Sequence, residues 1–292
     1  MQKISANIRK AVALRLTKPV RMELFRKIAE SIMAGSRYSV RSDFIRALKD
    51  EGVVKMHAFK AQNGKIMTCV SASDGADLDI HEVALALFPN GYFCNMTAVY
   101  HHGLTNQIPS RVHICHETIT EKPDRPHPVL SASAVRNAFI KPHRPTTFIL
   151  PVHRRELVVV DRYRGSDHGV ETILKGETVL PSGSRIAGLE RTLIDAVVAP
   201  HYNGGIVSIP EYFSSARNKL KIDKLVHIYA KLRFVYPYAQ AIGFLLERSG
   251  MREAAERFSR EFPPSVQFFA DHSAKSTWTY NERWMLYHPP GL

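Results

Sequence analysis

The sequence predicts an α+β chain, with a winged helix-turn-helix at its N-terminus and a larger mixed α/β domain behind it. Three observations predict this. Positive charge is crowded into the first quarter of the chain. Two helical patterns separated by a short turn run into a β-hairpin signal. Beyond them, strand patterns come first and helical patterns later, the order of an α+β domain rather than of a wound parallel sheet.

The charge comes first. The chain of 292 residues carries a net +13. From Met1 to Lys65 there are 15 Lys/Arg against 5 Asp/Glu, net +10, and the other 227 residues carry 25 against 22, net +3. Basicity confined to one segment is the electrostatic footprint of a phosphate-binding module.

The elements follow in order. Ile8, Val12 and Leu16 suggest a helix over Ser5–Leu16. Met22, Phe25, Ile28, Ala29 and Ile32 recur at three- and four-residue spacing and predict a helix over Val20–Met33, with Pro19 ahead of it. A turn over Gly35–Ser39 leads to a second helix, Val40–Glu51, with Ser39 as N-cap and Gly52 as stop. Val40, Phe44, Ile45 and Leu48 make its buried stripe. Ser39, Ser42, Arg46 and Lys49 share another face, flanked by Arg41. Val53–Lys60 and Ile66–Ser71 read as strands around Asn63-Gly64, a strong short hairpin signal.

This is the order of a winged helix-turn-helix. Small polar side chains at the start of a recognition helix reach base edges, and arginines beside them read guanine and bind phosphate. The expected DNA-binding residues are therefore Ser39, Arg41, Ser42, Arg46 and Lys49 on the helix, with Lys60, Gln62, Asn63 and Lys65 on the wing. The lysines of the wing are expected to work through phosphates, from a turn too mobile for base contacts.

The small, acidic stretch Ser71–Asp79 has a linker's composition, which divides the chain into Met1–Asp79 and Ile80–Leu292. In the second part, helical patterns cover Ile80–Phe88 and the end of Tyr92–Leu104. Strand patterns cover Arg111–His116, Arg136–Ile140, Thr146–Leu150 and Glu156–Asp161. Glu121–Pro128 is a proline-rich loop, Ile186–Val198 mixes strand end and helix, and Ser208–Phe258 is largely helical. Val266–Ala270 and Trp278–Leu286 suggest a last strand pair.

The signatures of catalysis are missing. No Asp/Glu-x-Lys tripeptide, GxSxG, GxxxxGK[ST] or GxGxxG occurs, and Gly183-Ser184 is followed by Asp195 but by Val197 where a paired carboxylate belongs. Glu190, Arg191 and Asp195 fall on one short helix and read as an ion pair that fixes it. Cys94, His101, His102, His113, Cys115 and His116 are close in sequence but lack metal-ligand spacing. No enzyme activity, metal or cofactor is expected. Three cysteines without a CxxC pair suit a reducing cytoplasm, and no signal peptide or membrane helix is expected.

Three stretches carry a family resemblance. Gly91–Ser110 (GYFCNMTAVYHHGLTNQIPS) resembles the "shlSAlylHGLTdQiP" stretch of AbiEi-type antitoxins. Gly188–Asp195 (GLERTLID), with Gly204-Gly205 after it, and Tyr236–Gly250 (YPYAQAIGFLLERSG) resemble it further. The tail with Tyr280-Asn-Glu-Arg-Trp fits only some members, and the N-terminal segment is longer than a minimal winged helix. The resemblance implies the antitoxin of a type IV toxin–antitoxin, or abortive-infection, operon. Such a protein represses its promoter by binding inverted repeats through the winged helix, and its C-terminal domain counteracts a nucleotidyltransferase toxin. Arg41, Ser42, Arg46 and Lys49 match the helix that enters the groove. The alternative is an RNA-binding protein that shields or acts on the toxin's RNA target, and a nuclease with an atypical site ranks behind it.

Overall fold

A computed structural model describes residues 3–72, 78–121, 130–174 and 180–292. Its helices are α1 (Ala6–Arg15), α2 (Met22–Met33), α3 (Arg41–Asp50), α4 (Ile80–Leu87), α5 (Asn95–His101), α6 (Ala132–Phe139), α7 (Leu189–Val198), α8 (Ile209–Ala216), α9 (Ile222–Leu232), α10 (Tyr238–Arg248) and α11 (Arg252–Glu261). Its strands are β1 (Val20–Arg21), β2 (Val54–Lys60), β3 (Ile66–Ala72), β4 (Tyr92–Phe93), β5 (Arg111–Glu121), β6 (Ile149–Val152), β7 (Arg155–Arg164), β8 (Val170–Thr172), β9 (Arg185–Ala187), β10 (Phe268–Phe269), β11 (Thr279–Asn281) and β12 (Leu286–His288). The fold is mixed α+β, in two compact units. One comprises Met1–Gly91 and Thr147–Val159, the other Tyr92–Thr146 and Val160–Leu292.

In the first unit the Ser5 hydroxyl caps α1 by accepting from the Ile8 amide at 3.4 Å. The helix expected from Val20 starts at Met22, because Val20 and Arg21 pair antiparallel with Val70 and Cys69 of β3. That pairing gives a three-stranded sheet in the order β1-β3-β2. Phe25, Ala29 and Ile32 of α2 meet Phe44, Ala47 and Leu48 of α3 in one core with Val12 and Leu16. Ser39 does not cap α3. The extended Val40 holds that position and no side chain bonds the helix start. Gly64, at φ +83°, closes the β2–β3 turn in a conformation other residues resist.

The division of the chain differs from a cut at Asp79. Asp79 is instead the N-cap of α4, accepting from the His81 and Glu82 amides at 2.8 and 3.1 Å. Its side-chain hydrogen bond to His81 helps hold its carboxyl down to about 2. Helix α4 buries Ile80, Val83, Ala84 and Leu87 and packs on β1 and β3, so it belongs to the first unit. So does the β6–β7 turn, with Ile149 opposite Val158 and Val152 opposite Arg155. Of the expected linker, residues 73–77 lie outside the described residues, as do residues 122–128 of the expected proline-rich loop.

The second unit contains a sheet in the order β7-β5-β4-β9-β8, with β7 contributing its second half. Strand β4 is antiparallel to β5 and parallel to β9. The expected strand Arg136–Ile140 is the end of helix α6. Ser131 caps that helix through the Ala134 amide, and Val135 and Phe139 are buried four residues apart, a helical spacing that five residues cannot distinguish from alternation. The tail holds three strands rather than a pair, with β10 parallel and β11 antiparallel to β12.

Around α10 the packing leaves no slack. Gln240 Nε2 donates to the carbonyls of Val266 and Trp284 at 2.9 and 2.8 Å. A Cβ at Gly243 would fall inside the fully buried Trp284 ring. Gly243→Ala is therefore expected to cost about 1–3 kcal/mol, read as a lower urea midpoint with unchanged slope. A midpoint equal to the parent would show that the tail can slide away.

A second expectation concerns acid. His113 on β5 is only 5% exposed, edge-on to Tyr202 at 5.7 Å, and burial holds its pKa down to about 4. The folded state keeps this ring neutral while the unfolded chain protonates it near 6.5, so its contribution is complete above 6.5 and is lost as pH falls toward 4. Unfolding free energy should drop by on the order of 1–3 kcal/mol over that window. Replacing His113 by Gln should flatten the pH profile, and an equally steep profile in the variant would remove His113 as the cause.

Candidate nucleic-acid interface

Helix α3 presents the expected residues as one exposed strip. Ser42, Arg46 and Lys49 are all exposed at spacings of four and three, opposite the buried Phe44, Ala47 and Leu48. Ser39 is exposed just before the helix. The strip is not purely cationic. Asp43 lies in the first helical turn, where its charge suits the helix dipole, 3.7 Å from the Arg46 guanidinium. With Arg46 70% exposed, that pair is a loose one in which Arg46 remains free to reach outward. Arg41 is drawn the other way, donating to Glu30 of α2 at 2.9 Å. It braces α3 against α2, with one of its guanidinium nitrogens committed to Glu30.

The β2–β3 turn differs from expectation. Lys60, Gln62, Asn63 and Lys65 are exposed around the turn, yet the turn is not loose. The amides of Gln62 and Asn63 donate to the carbonyls of Ile149 and Thr147 at 3.1 and 3.0 Å. The Asn63 side chain accepts from the Lys65 amide at 3.1 Å. The Lys65 ammonium rests 4.8 Å from the centre of the Phe148 ring, a cation–π contact. The physical reason for the difference is distant in sequence: residues 147–149 return to this unit and supply acceptors that the hairpin alone lacks.

The same return adds residues that sequence reasoning missed. His153, at φ +53°, and Arg154 are exposed at the β6–β7 turn, and His153 adds to the burial and the Lys55 charge that lower the His57 pKa. Arg37 is exposed in the turn before α3. Arg37 lay within the basic segment but off any helical face, and nothing local ties residues 153–154 to a unit that otherwise ends at Gly91.

The other candidate groups are embedded in the second unit. Asp195 pairs with Arg191 at 3.0 Å and Arg162 at 3.5 Å, and Arg191 and Asp195 are each 1% exposed. The ion pair foreseen on α7 is thus deep in the core. Cys94 and Cys115 are buried beside it. Burial would raise the Cys115 thiol, but a hydrogen bond from Cys94 and the Arg162 charge outweigh it and bring it down to about 7. The Cys94 thiol is pushed up by burial and by Cys115. His102 bonds the Ala187 carbonyl at 2.7 Å, and His116 lies 3.4 Å from Asp161. Among the described residues no three His, Cys, Asp or Glu side chains converge as a metal set, and no helix is long and apolar enough to cross a membrane.

Neither a family model nor a curated protein matches the chain. Its fold is similar to the crystal structure of the RV2827C protein from Mycobacterium tuberculosis, with a TM-score of 0.58 over 98% of this chain and 93% of that one, at 13% identity. At that identity the likeness concerns the fold alone.

The pinned turn makes a direct prediction. In hydrogen exchange by NMR, the Gln62 and Asn63 amides should be protected well above random-coil rates, since both are bonded within the unit. Exchange at coil rates would show a free wing and restore the mobile hairpin of the sequence reading.

Proposed function

We propose that this chain is a DNA-binding transcriptional repressor and the antitoxin of a type IV toxin–antitoxin operon. In this reading the first unit is a winged helix-turn-helix, and it holds inverted repeats in its own promoter. The observation that carries the reading is the exposed Ser42–Arg46–Lys49 strip on α3, inside a segment of net +10. The α1-β1-α2-α3-β2-β3 order is the arrangement such a reader needs, with one helix free to enter a major groove and a hairpin beside it. The three stretches that resemble AbiEi proteins support the antitoxin part, with a nucleotidyltransferase toxin as functional partner in the cytoplasm. The proposal assigns the chain no catalysis of its own.

Within this reading, Arg46 reads a base, and Lys49, Lys60 and Lys65 hold phosphates, Lys65 from its place over Phe148. Gel shifts on the native promoter and on shuffled duplex test the role of Arg46. Arg46→Ala should cost about 1–3 kcal/mol on the promoter and much less on shuffled DNA. Equal affinity for both duplexes, in parent and variant alike, would remove the sequence-reading role. Tighter binding of an RNA duplex or single strand than of the promoter would favour the RNA-directed alternative.

A further inference from the structure

The small sheet of the tail, β10-β12-β11, has two faces of different character. Side chains paired across strands share a face. Phe268 pairs with Leu286, and both are fully buried in the core of the second unit. On the opposite face Phe269, Tyr287 and Tyr280 stand in one row, with neighbouring ring centres 5.0 and 4.7 Å apart. A sheet with one face on the core ordinarily turns a polar face outward. Here that face is aromatic. Trp278, half-buried just ahead of β11, joins Phe269 and Tyr287 in lining a cavity of about 560 Å³. The size is that of a site for a small organic group.

The rings of the cavity are not equivalent. Phe269 and Tyr287 stack with 16° between their planes, so each already covers the other. Trp278 packs on the core through part of its surface, yet among the described residues it meets no other ring. The largest aromatic side chain in the cavity is thus the one without a ring partner. Two cations accompany it. Arg136 of α6 and Lys275 of the β10–β11 connection are exposed and line the cavity from separate elements. Neither side chain makes an ion pair or hydrogen bond among the described residues, and no carboxylate among those residues lines the cavity. Gln267 adds an exposed amide to the same lining.

We propose that this cavity takes one base of a single-stranded nucleic acid on Trp278, with the adjoining phosphates against Arg136 and Lys275. Any base has a flat face that stacks on an indole, and the strand itself supplies the negative charge that suits the two cations. A duplex keeps its bases stacked on one another and offers none to the indole, so the ligand is unpaired. An acidic peptide would answer the cations, but a nucleotide carries the flat ring and the negative charge in one unit. The Gln267 amide is placed to bond a base edge. The strand is RNA or DNA, since stack and phosphates are common to both. This proposal goes beyond duplex binding by α3 and does not rest on it.

Tryptophan fluorescence reads the stack directly, because the chain has two tryptophans and the other, Trp284, is fully buried. The full chain is titrated with oligo-A, oligo-U and oligo-dT strands of about 12 nucleotides, and with an oligo-A/oligo-U duplex. Saturable quenching by single strands is expected, and none by the duplex. Trp278→Phe should abolish the quenching. The Arg136→Gln, Lys275→Gln double variant keeps the indole and should bind about tenfold more weakly at low salt, with a salt slope lower by about 1.4 for two lost phosphate contacts. Both side chains are exposed, so this variant should stay folded, as circular dichroism can verify, and should treat promoter duplex as the parent does. Tighter binding of oligo-U than of oligo-dT identifies RNA as the ligand, and equal affinity identifies any single strand. The proposal is overturned by no saturable quenching at ~0.5 mM strand, weaker than even non-specific binding. It is equally overturned by unchanged affinity and slope in the folded double variant, or by equal quenching with duplex. An alternating Glu-Tyr peptide that binds more tightly than every strand would also overturn it and assign the surface to a protein partner.

Discussion

Asp195 is the charge on which the second unit depends. Its carboxylate holds two guanidiniums, and through Arg191 it fixes the Ser166 and His168 carbonyls and the Tyr92 hydroxyl. One side chain on α7 thereby sets the position of β4 and of the loop before β8. Breaking such a buried pair typically costs about 3–5 kcal/mol, because the surviving charge is stranded, whereas an apolar replacement of the whole set can be neutral. The arrangement is thus better understood as specifying where these segments sit than as a source of net stability.

The first unit uses a different device. Its core is apolar, built from Phe25, Phe44 and their neighbours, and polar contacts appear at its edges. The β2–β3 turn is tied by two backbone hydrogen bonds to Thr147 and Ile149. A hairpin tied in this way holds Lys60 and Asn63 in a defined place. Lys65 rests over the Phe148 ring, a further contact to the same returning segment.

The charge distribution has two parts of different visibility. The excess in residues 1–65 is visible as a local average. The grouping of Arg162, Arg191, Lys231 and Arg233 around one cavity of the second unit is not, because they come from three separate stretches of a nearly neutral sequence. A local average records the acids nearby in sequence, whereas folding sets Asp195 against two arginines from different stretches.

Periodicity, with the Asn63-Gly64 turn signal, was enough for α1 to α4 and for the β2–β3 hairpin. Each rests on contacts within a few residues, and the α3 strip follows from the same spacing, since a helix face needs no tertiary information. The short pieces were less legible. Arg136–Ile140 is too brief to separate two periods, Val20–Arg21 becomes a strand only because β3 lies beside it, and Ser39 loses the cap to Val40. The unit boundary and the tethered β2–β3 turn were decided by tertiary structure alone. Both depend on residues 147–159 returning to pair with a segment more than eighty positions earlier, and no local pattern encodes a partner at that distance.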